Sequence, residues 1–264
     1  MITVGVFDSG VGGLSVVRQI LRNLPEVHII YYGDTARVPY GEKSKEELIY
    51  LADIVTNYLL GEGAEIIIDA CNSTSAVALD FLQKKYRVPI MGVINPGVKG
   101  AIKATRNGRI GIIGTEATVK SGVHRSLLAA LKPDFKLFSQ ACPGFVPFIE
   151  KGDVLSSEIY KLATEYLDPL LRENIDTLIL GCTHYPFLEP VLAEISGTNV
   201  KLVDPAVETT ADLKKVVADK ISGNNLTKPE HRFIVSGDPD SFKQVANSLP
   251  VGIKLKQVES ILVK

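Results

Sequence analysis

The sequence predicts an α/β protein in which two similar parallel-sheet lobes face each other across a central cleft. Three observations carry that expectation. Short, near-continuous apolar runs rich in β-branched residues alternate with helix-length amphipathic segments, the pattern of a parallel sheet covered by helices on both faces. The chain has 264 residues, and at roughly 150 residues per domain it has room for about two. A faint internal echo pairs the halves: GVFDSG at Gly5 answers GIIGTE at Gly111, and ACNSTS at Cys71 answers LGCTHYP at Cys182, separations of 106 and 111 residues.

Taken in order, the strands are expected over 2–7, 28–32, 65–70, 89–94, 109–113, 176–180, 201–203 and 232–235. After the first, Leu14, Val17, Ile20, Leu21 and Leu24 recur at helical spacing until Pro25 stops them. Residues 43–60 and 156–171 read as further helices. Asn95-Pro96-Gly97 is a turn signal and Asp204-Pro205 a second break. The first lobe is therefore expected over 1–97 with a return from 207 to 264, and the second over 98–206.

In such sheets ligands sit beyond the carboxyl ends of the strands. Here those ends deliver small polar or reactive groups: Asp8-Ser9-Gly10, Gly33-Asp34-Thr35, Cys71-Asn72-Ser73-Thr74, Gly114-Thr115 and Gly181-Cys182-Thr183-His184.

Composition removes several classes of function. With 29 basic and 30 acidic residues the net charge is −1, so no global field recruits nucleic acid or an anionic membrane. Hydrophobic residues make up 45% and charged residues 22%, proportions that argue against disorder. No apolar run reaches transmembrane length, and MITVGVFDSG lacks the basic and apolar regions of a secretory signal. Three dispersed cysteines build no disulfide framework and form no CxxC zinc pattern. The expectation is a cytosolic protein with reduced thiols.

Cys71 and Cys182 are the main chemical clue. A lone cysteine at a strand end is most often a small buried hydrophobe. Two of them in polar company at matching strand ends point to function instead. A helix amino terminus or a neighbouring imidazolium lowers a thiol's pKa, and both cysteines precede expected helix starts. Their thiolates could act as nucleophiles, metal ligands or proton-transfer bases. His184, two residues past Cys182, could pair with it or simply be a hydrogen-bonded histidine before Pro186. Asp8 could act as an acid/base, bind an ammonium group or cap a helix.

Other candidates read as structural. Cys142 has no neighbouring base in the sequence; His28 begins a strand; His124 and His231 lie in polar stretches and are expected at the surface. Lys99, Lys103 and Lys120 also read as surface residues, so no lysine stands out for a pyridoxal cofactor. The DSGVGGLS loop fails as a dinucleotide site, because Ser15 stands where the third glycine of GxGxxG belongs, and no GxxxxGK[ST] is present. Cys-x-His spacing lacks the usual zinc pattern.

Six motifs in order, GVFDSGVGGLSV, YYGDTARVPYG, ACNSTSA, GTEATVKSG, CPGFVPFIEKG and GCTHYP, closely resemble glutamate racemases, of the cofactor-independent aspartate/glutamate racemase superfamily. The resemblance covers residues 4 to about 190. It implies two lobes enclosing a small amino acid, with one cysteine on each face of its α-carbon. By motif position Cys71 and Cys182 would be the two bases. Asp8 would assist Cys71, His184 would assist Cys182, and Glu150 would orient His184. Asp8, Ser9, Pro39, Tyr40, Gly41, Asn72, Ser73, Thr74, Thr115, Thr118, Thr183 and His184 fall where the family contacts substrate. Many members read CNT where this chain reads CNS at Cys71–Ser73; serine keeps the hydroxyl and loses a methyl.

The resemblance further implies L- and D-glutamate as substrates, no cofactor and no metal, supply of D-glutamate for peptidoglycan, and a homodimer that binds neither nucleic acid nor membrane. By analogy Cys71 would act on D-glutamate and Cys182 on L-glutamate. Three rivals stay open: an aspartate racemase, a non-catalytic two-lobed amino-acid-binding protein, and a Cys/His hydrolase that needs only Cys182.

Overall fold

The computed structural model describes residues 2–218, 229–250 and 252–264; part of the expected first-lobe return, 219–228, lies outside the described residues. Among the described residues, ten strands follow one another as β1 (Thr3–Asp8), β2 (His28–Gly33), β3 (Ile66–Asp69), β4 (Ile90–Gly92), β5 (Arg109–Gly114), β6 (Lys136–Ala141), β7 (Thr177–Gly181), β8 (Lys201–Val203), β9 (Arg232–Val235) and β10 (Glu259–Ser260). They form two sheets, ordered β10-β9-β2-β1-β3-β4 and β6-β5-β7-β8, with every pairing parallel.

The internal echo has a structural counterpart. The order β2-β1-β3-β4 in the first sheet is repeated as β6-β5-β7-β8 in the second, with β9 and β10 added to one edge. Cys71 follows β3 and Cys182 follows β7, the equivalent strands of the two sheets. Register aligns the ends: Asp8 lies opposite Gly33, Phe7 opposite Asp69, and Gly114 opposite Gly181. The polar residues after these strands therefore share one rim per sheet.

Helix Leu14–Asn23 buries Leu14, Val16, Val17 and Ile20 on one face and ends just before Pro25. Helix Lys45–Gly61 starts later than expected because Ser44 caps it. Ser44 Oγ accepts from the Glu47 N–H at 3.2 Å, and Glu47 Oε2 accepts from the Ser44 N–H at 2.9 Å. One apolar cluster joins Val4, Ile29 and Ile68 of the first sheet to Leu178 and Leu180 of the second, so the two sheets share packed hydrocarbon.

Three expectations are corrected. Asn95-Pro96-Gly97 is not a turn but the first turn of helix Ile94–Ala104, where the N–H that proline lacks would have no intrahelical partner anyway. Gly97 is packed there, since a Cβ would come within 3.0 Å of Pro205 Cγ. Residues 97 and 207 both fall inside helices, Ile94–Ala104 and Pro205–Val217, which pack against each other. The chain thus leaves the first sheet, and begins its return, through a helix pair. The strand β6 was absent from the expected set, as was β10.

His124 is the third correction. It is buried on the same face of helix Val123–Leu131 as Leu128, and its Nε2 has no hydrogen-bond partner. Burial pushes its imidazole down to about 4 from the ordinary 6.5. Below 6.5 the unfolded chain takes up a proton that the folded one refuses, so stability falls as pH drops from 6.5 towards 4. The expected loss over that window is about 3 kcal/mol. Denaturant melts at pH 7 and pH 4.5 should show it, and His124→Leu should flatten the slope; an unchanged slope would refute the assignment to His124.

Candidate active site

The rims of both sheets converge on one cavity of about 40 Å³, lined by Ser9, Pro39, Tyr40, Gly41, Glu42, Cys71, Asn72, Ser73, Thr115, Glu116, Pro143, Val146, Cys182, Thr183 and His184. Both cysteines line it, and no lysine or arginine does among the described residues.

Around Cys182 the side chains form a line. His184 Nδ1 faces Cys182 Sγ at 3.6 Å, and His184 Nε2 lies 2.6 Å from Glu150 Oε1. Glu150 Oε1 also accepts from the Val11 N–H at 3.0 Å. Burial alone would lower the His184 imidazole, but hydrogen bonds to the Cys182 sulfur and the Glu150 carboxylate outweigh it and hold the ring well above its usual range. Protonated, the ring donates to Glu150 through Nε2 and presents a second N–H to sulfur.

Cys71 differs. It precedes the short helix Asn72–Val77, yet its thiol is pushed up, first by burial and then by the Asp8 and Asp69 carboxylates. The expectation that a following helix would lower it fails here, because desolvation and two nearby anions outweigh a single helical turn and a bit. With no ligand bound, this environment favours the thiol over the thiolate at Cys71.

Asp8, at the end of β1, is buried and does not line the cavity. Its Oδ1 accepts from the Gly10 N–H at 3.1 Å and its Oδ2 from the Thr183 hydroxyl at 2.9 Å, which ties the first rim to the second. Burial raises its carboxyl, opposed by His184, the Gly10 N–H and the Thr183 hydroxyl.

Two other expected contacts, Thr74 and Thr118, are set back from the cavity lining, while Glu150, expected to orient His184, sits behind it. Thr74 donates to Asp69 Oδ1 at 2.5 Å. Thr118 lies 3.0 Å from Thr115 Oγ1, and Thr115 Oγ1 lies 3.0 Å from Ser73 Oγ, so a row of hydroxyls braces the wall from behind. Glu42, Glu116, Pro143 and Val146 line the cavity without having been singled out. Each lies within or beside a motif already quoted, and chain adjacency to Gly41, Thr115 and Cys142 was the available signal.

The glycines of DSGVGGLS are explained by close approach. A Cβ on Gly10 would lie 2.0 Å from Glu150 Oε1, and one on Gly12 would lie 2.4 Å from His184 Nδ1. The loop makes room for side chains of the second rim rather than for phosphate.

Tyr40 forms part of the cavity wall, and its hydroxyl is engaged by Asp34. It donates to Asp34 Oδ2 at 2.5 Å, and Arg37 donates to Asp34 Oδ1 at 2.9 Å. Tyr40→Phe keeps the ring and leaves the buried Asp34 short of a donor. The expected cost is about 2 kcal/mol of stability, with kcat changed less than about tenfold. Thermal melts beside steady-state kinetics check it, and a large kcat loss without destabilisation would contradict it.

The family description Asp/Glu/Hydantoin racemase matches residues 4–213. This chain belongs to the Asp/Glu/Hydantoin racemase family. Among members of that family, a glutamate racemase from Desulforudis audaxviator is 45% identical over 251 residues, spanning 92% of each chain. The crystal structure of a glutamate racemase isoform from Bacillus anthracis is similar with a TM-score of 0.93 at 36% identity, covering 100% of this chain and 99% of that one. The glutamate racemase of Francisella tularensis, solved in complex with D-glutamate, gives a TM-score of 0.89 at 34% identity over 98% of this chain and 97% of that one. Among the described residues no helix is long and apolar enough to cross a membrane, and no three His, Cys, Asp or Glu side chains gather as a metal site.

Proposed function

We propose that this protein is a glutamate racemase that interconverts L- and D-glutamate by α-proton transfer between Cys71 and Cys182, without a cofactor, and supplies D-glutamate for peptidoglycan. The observation that carries the reading is the pair of thiols on equivalent strands of two matching sheets, both lining one small cavity. Inverting a carbon centre requires a proton to leave one face and another to arrive at the opposite face. Two acid–base groups achieve this without turning the substrate over.

In the L-to-D direction Cys182 takes the α-proton, with His184 and Glu150 behind it, and the Cys71 thiol delivers a proton to the other face. The raised Cys71 thiol suits that role as donor. In the reverse direction the two exchange parts, and Asp8 assists Cys71. The α-proton is weakly acidic, so the developing carbanion needs oriented donors in a site with little water. Ser9, Asn72, Ser73, Thr115, Thr183 and nearby backbone N–H groups can hold the two carboxylates without an arginine fork. The protein is taken to act as a homodimer.

Incubation with L-glutamate in D₂O tests the reading: optical rotation should decay to zero while deuterium enters the α-position. Pyridoxal phosphate or EDTA should change neither. Glutamate bound without isotope exchange would identify a binding protein instead, and preferential racemisation of L-aspartate would move the substrate.

A further inference from the structure

Behind the catalytic cavity lies a second, much smaller one, of about 10 Å³, lined by Ser15, Asn72, Leu180, Cys182, Thr183 and Asp204 among others. It shares Asn72, Cys182 and Thr183 with the catalytic cavity. A space of that size matches about one water molecule. Two of its lining residues carry buried oxygens with no protein partner, Ser15 Oγ and Asn72 Oδ1. Ser15 is fully buried on helix Leu14–Asn23, and Asn72 is 3% exposed. Such atoms are costly to leave unpaired.

We propose that Ser15 is a positioning residue: with one internal water in this cavity, it fixes the Asn72 amide so that Nδ2 is turned into the catalytic cavity. Ser15 Oγ donates to the water, the water donates to Asn72 Oδ1, and the Asp204 carboxylate on the same wall accepts the water's other proton. An asparagine amide has two orientations related by a half-turn. In the reverse one, Oδ1 would face a ligand carboxylate and Nδ2 would face the serine. The hydroxyl and its water select the orientation that offers a donor to an anionic ligand. The choice of ligand rests on the racemase reading; the water does not.

A crystal structure of the protein at atomic resolution tests the first half. Density for one water within hydrogen-bond distance of both Ser15 Oγ and Asn72 Oδ1 supports the proposal; a dry cavity, or a water touching only one of them, overturns it. For the second half, D-glutamate is titrated calorimetrically into the wild type and into the Ser15→Ala, Ser15→Cys, Asn72→Ala and Ser15→Ala/Asn72→Ala variants. Each single Ser15 variant should weaken binding about fivefold to tenfold and raise KM with kcat nearly unchanged. Ser15→Ala should add no further weakening once Asn72 is alanine. An undiminished effect in the double variant would mean that Ser15 acts on packing and not through Asn72. Failure of the wild type to bind glutamate would sink the racemase reading while leaving the water test standing.

Discussion

Cys71→Ser and Cys182→Ser should each lower racemisation of L-glutamate by about a thousandfold or more, because each removes one of two acid–base groups that must act on opposite faces of the α-carbon. A serine hydroxyl fills nearly the same space but is far too weak an acid to exchange roles with a base at neutral pH. Thermal melts should therefore stay close to wild type while turnover collapses. The isotope pattern gives the sharper reading. The variant that keeps Cys182 retains a group able to exchange the α-hydrogen of L-glutamate with D₂O, while inversion stays blocked; the variant that keeps Cys71 retains the corresponding group for D-glutamate. Full activity after Cys71→Ser would eliminate the two-thiol reading and favour chemistry at Cys182 alone.

Gly12→Ala should cost about a hundredfold in kcat with the fold intact. A methyl there would lie 2.4 Å from His184 Nδ1 and 2.5 Å from Thr183 Oγ1. Neither neighbour can yield cheaply. His184 is buried and held at 2.6 Å by Glu150, and Thr183 is held at 2.9 Å by Asp8. Something must shift, and a displacement of about 1 Å at a catalytic group is worth roughly that factor in rate. The overpacking should also remove about 1–3 kcal/mol of stability. Kinetics with each enantiomer, alongside a denaturant melt, separate the two effects. Wild-type turnover in this variant would show that the His184 position does not matter to the reaction.

The sequence made the parallel sheets and their reactive rims legible because those strands are buried on both faces and read as unbroken apolar runs. Strand β6 escaped for the opposite reason: Lys136–Ala141 is an edge strand, largely half-buried, and its KLFSQA mixes polar and apolar side chains. Strand β10 spans two residues and carries no periodicity. Asn95-Pro96-Gly97 reads as a turn from its residues alone, and the close approach of Gly97 to Pro205 within a helix pair is not visible locally. At the site, motif position located the cavity wall at Ser9, Pro39–Gly41, Asn72, Ser73, Thr115, Thr183 and His184. Depth was not legible. That Asp8, Thr74 and Thr118 stand behind the lining depends on distances between strands that no single segment encodes. The rise in the Cys71 thiol likewise depends on its burial and then on Asp8, 63 positions away in the chain.

The order of strands in the first sheet sets a timetable for biosynthesis. All four strands of the second sheet are encoded contiguously, from Arg109 to Val203, and can pair as soon as that stretch has left the ribosome. β2 is different: one of its neighbours, β9, begins at Arg232. Until β9 has been made, the backbone of His28–Gly33 presents an open edge to whatever else is nearby.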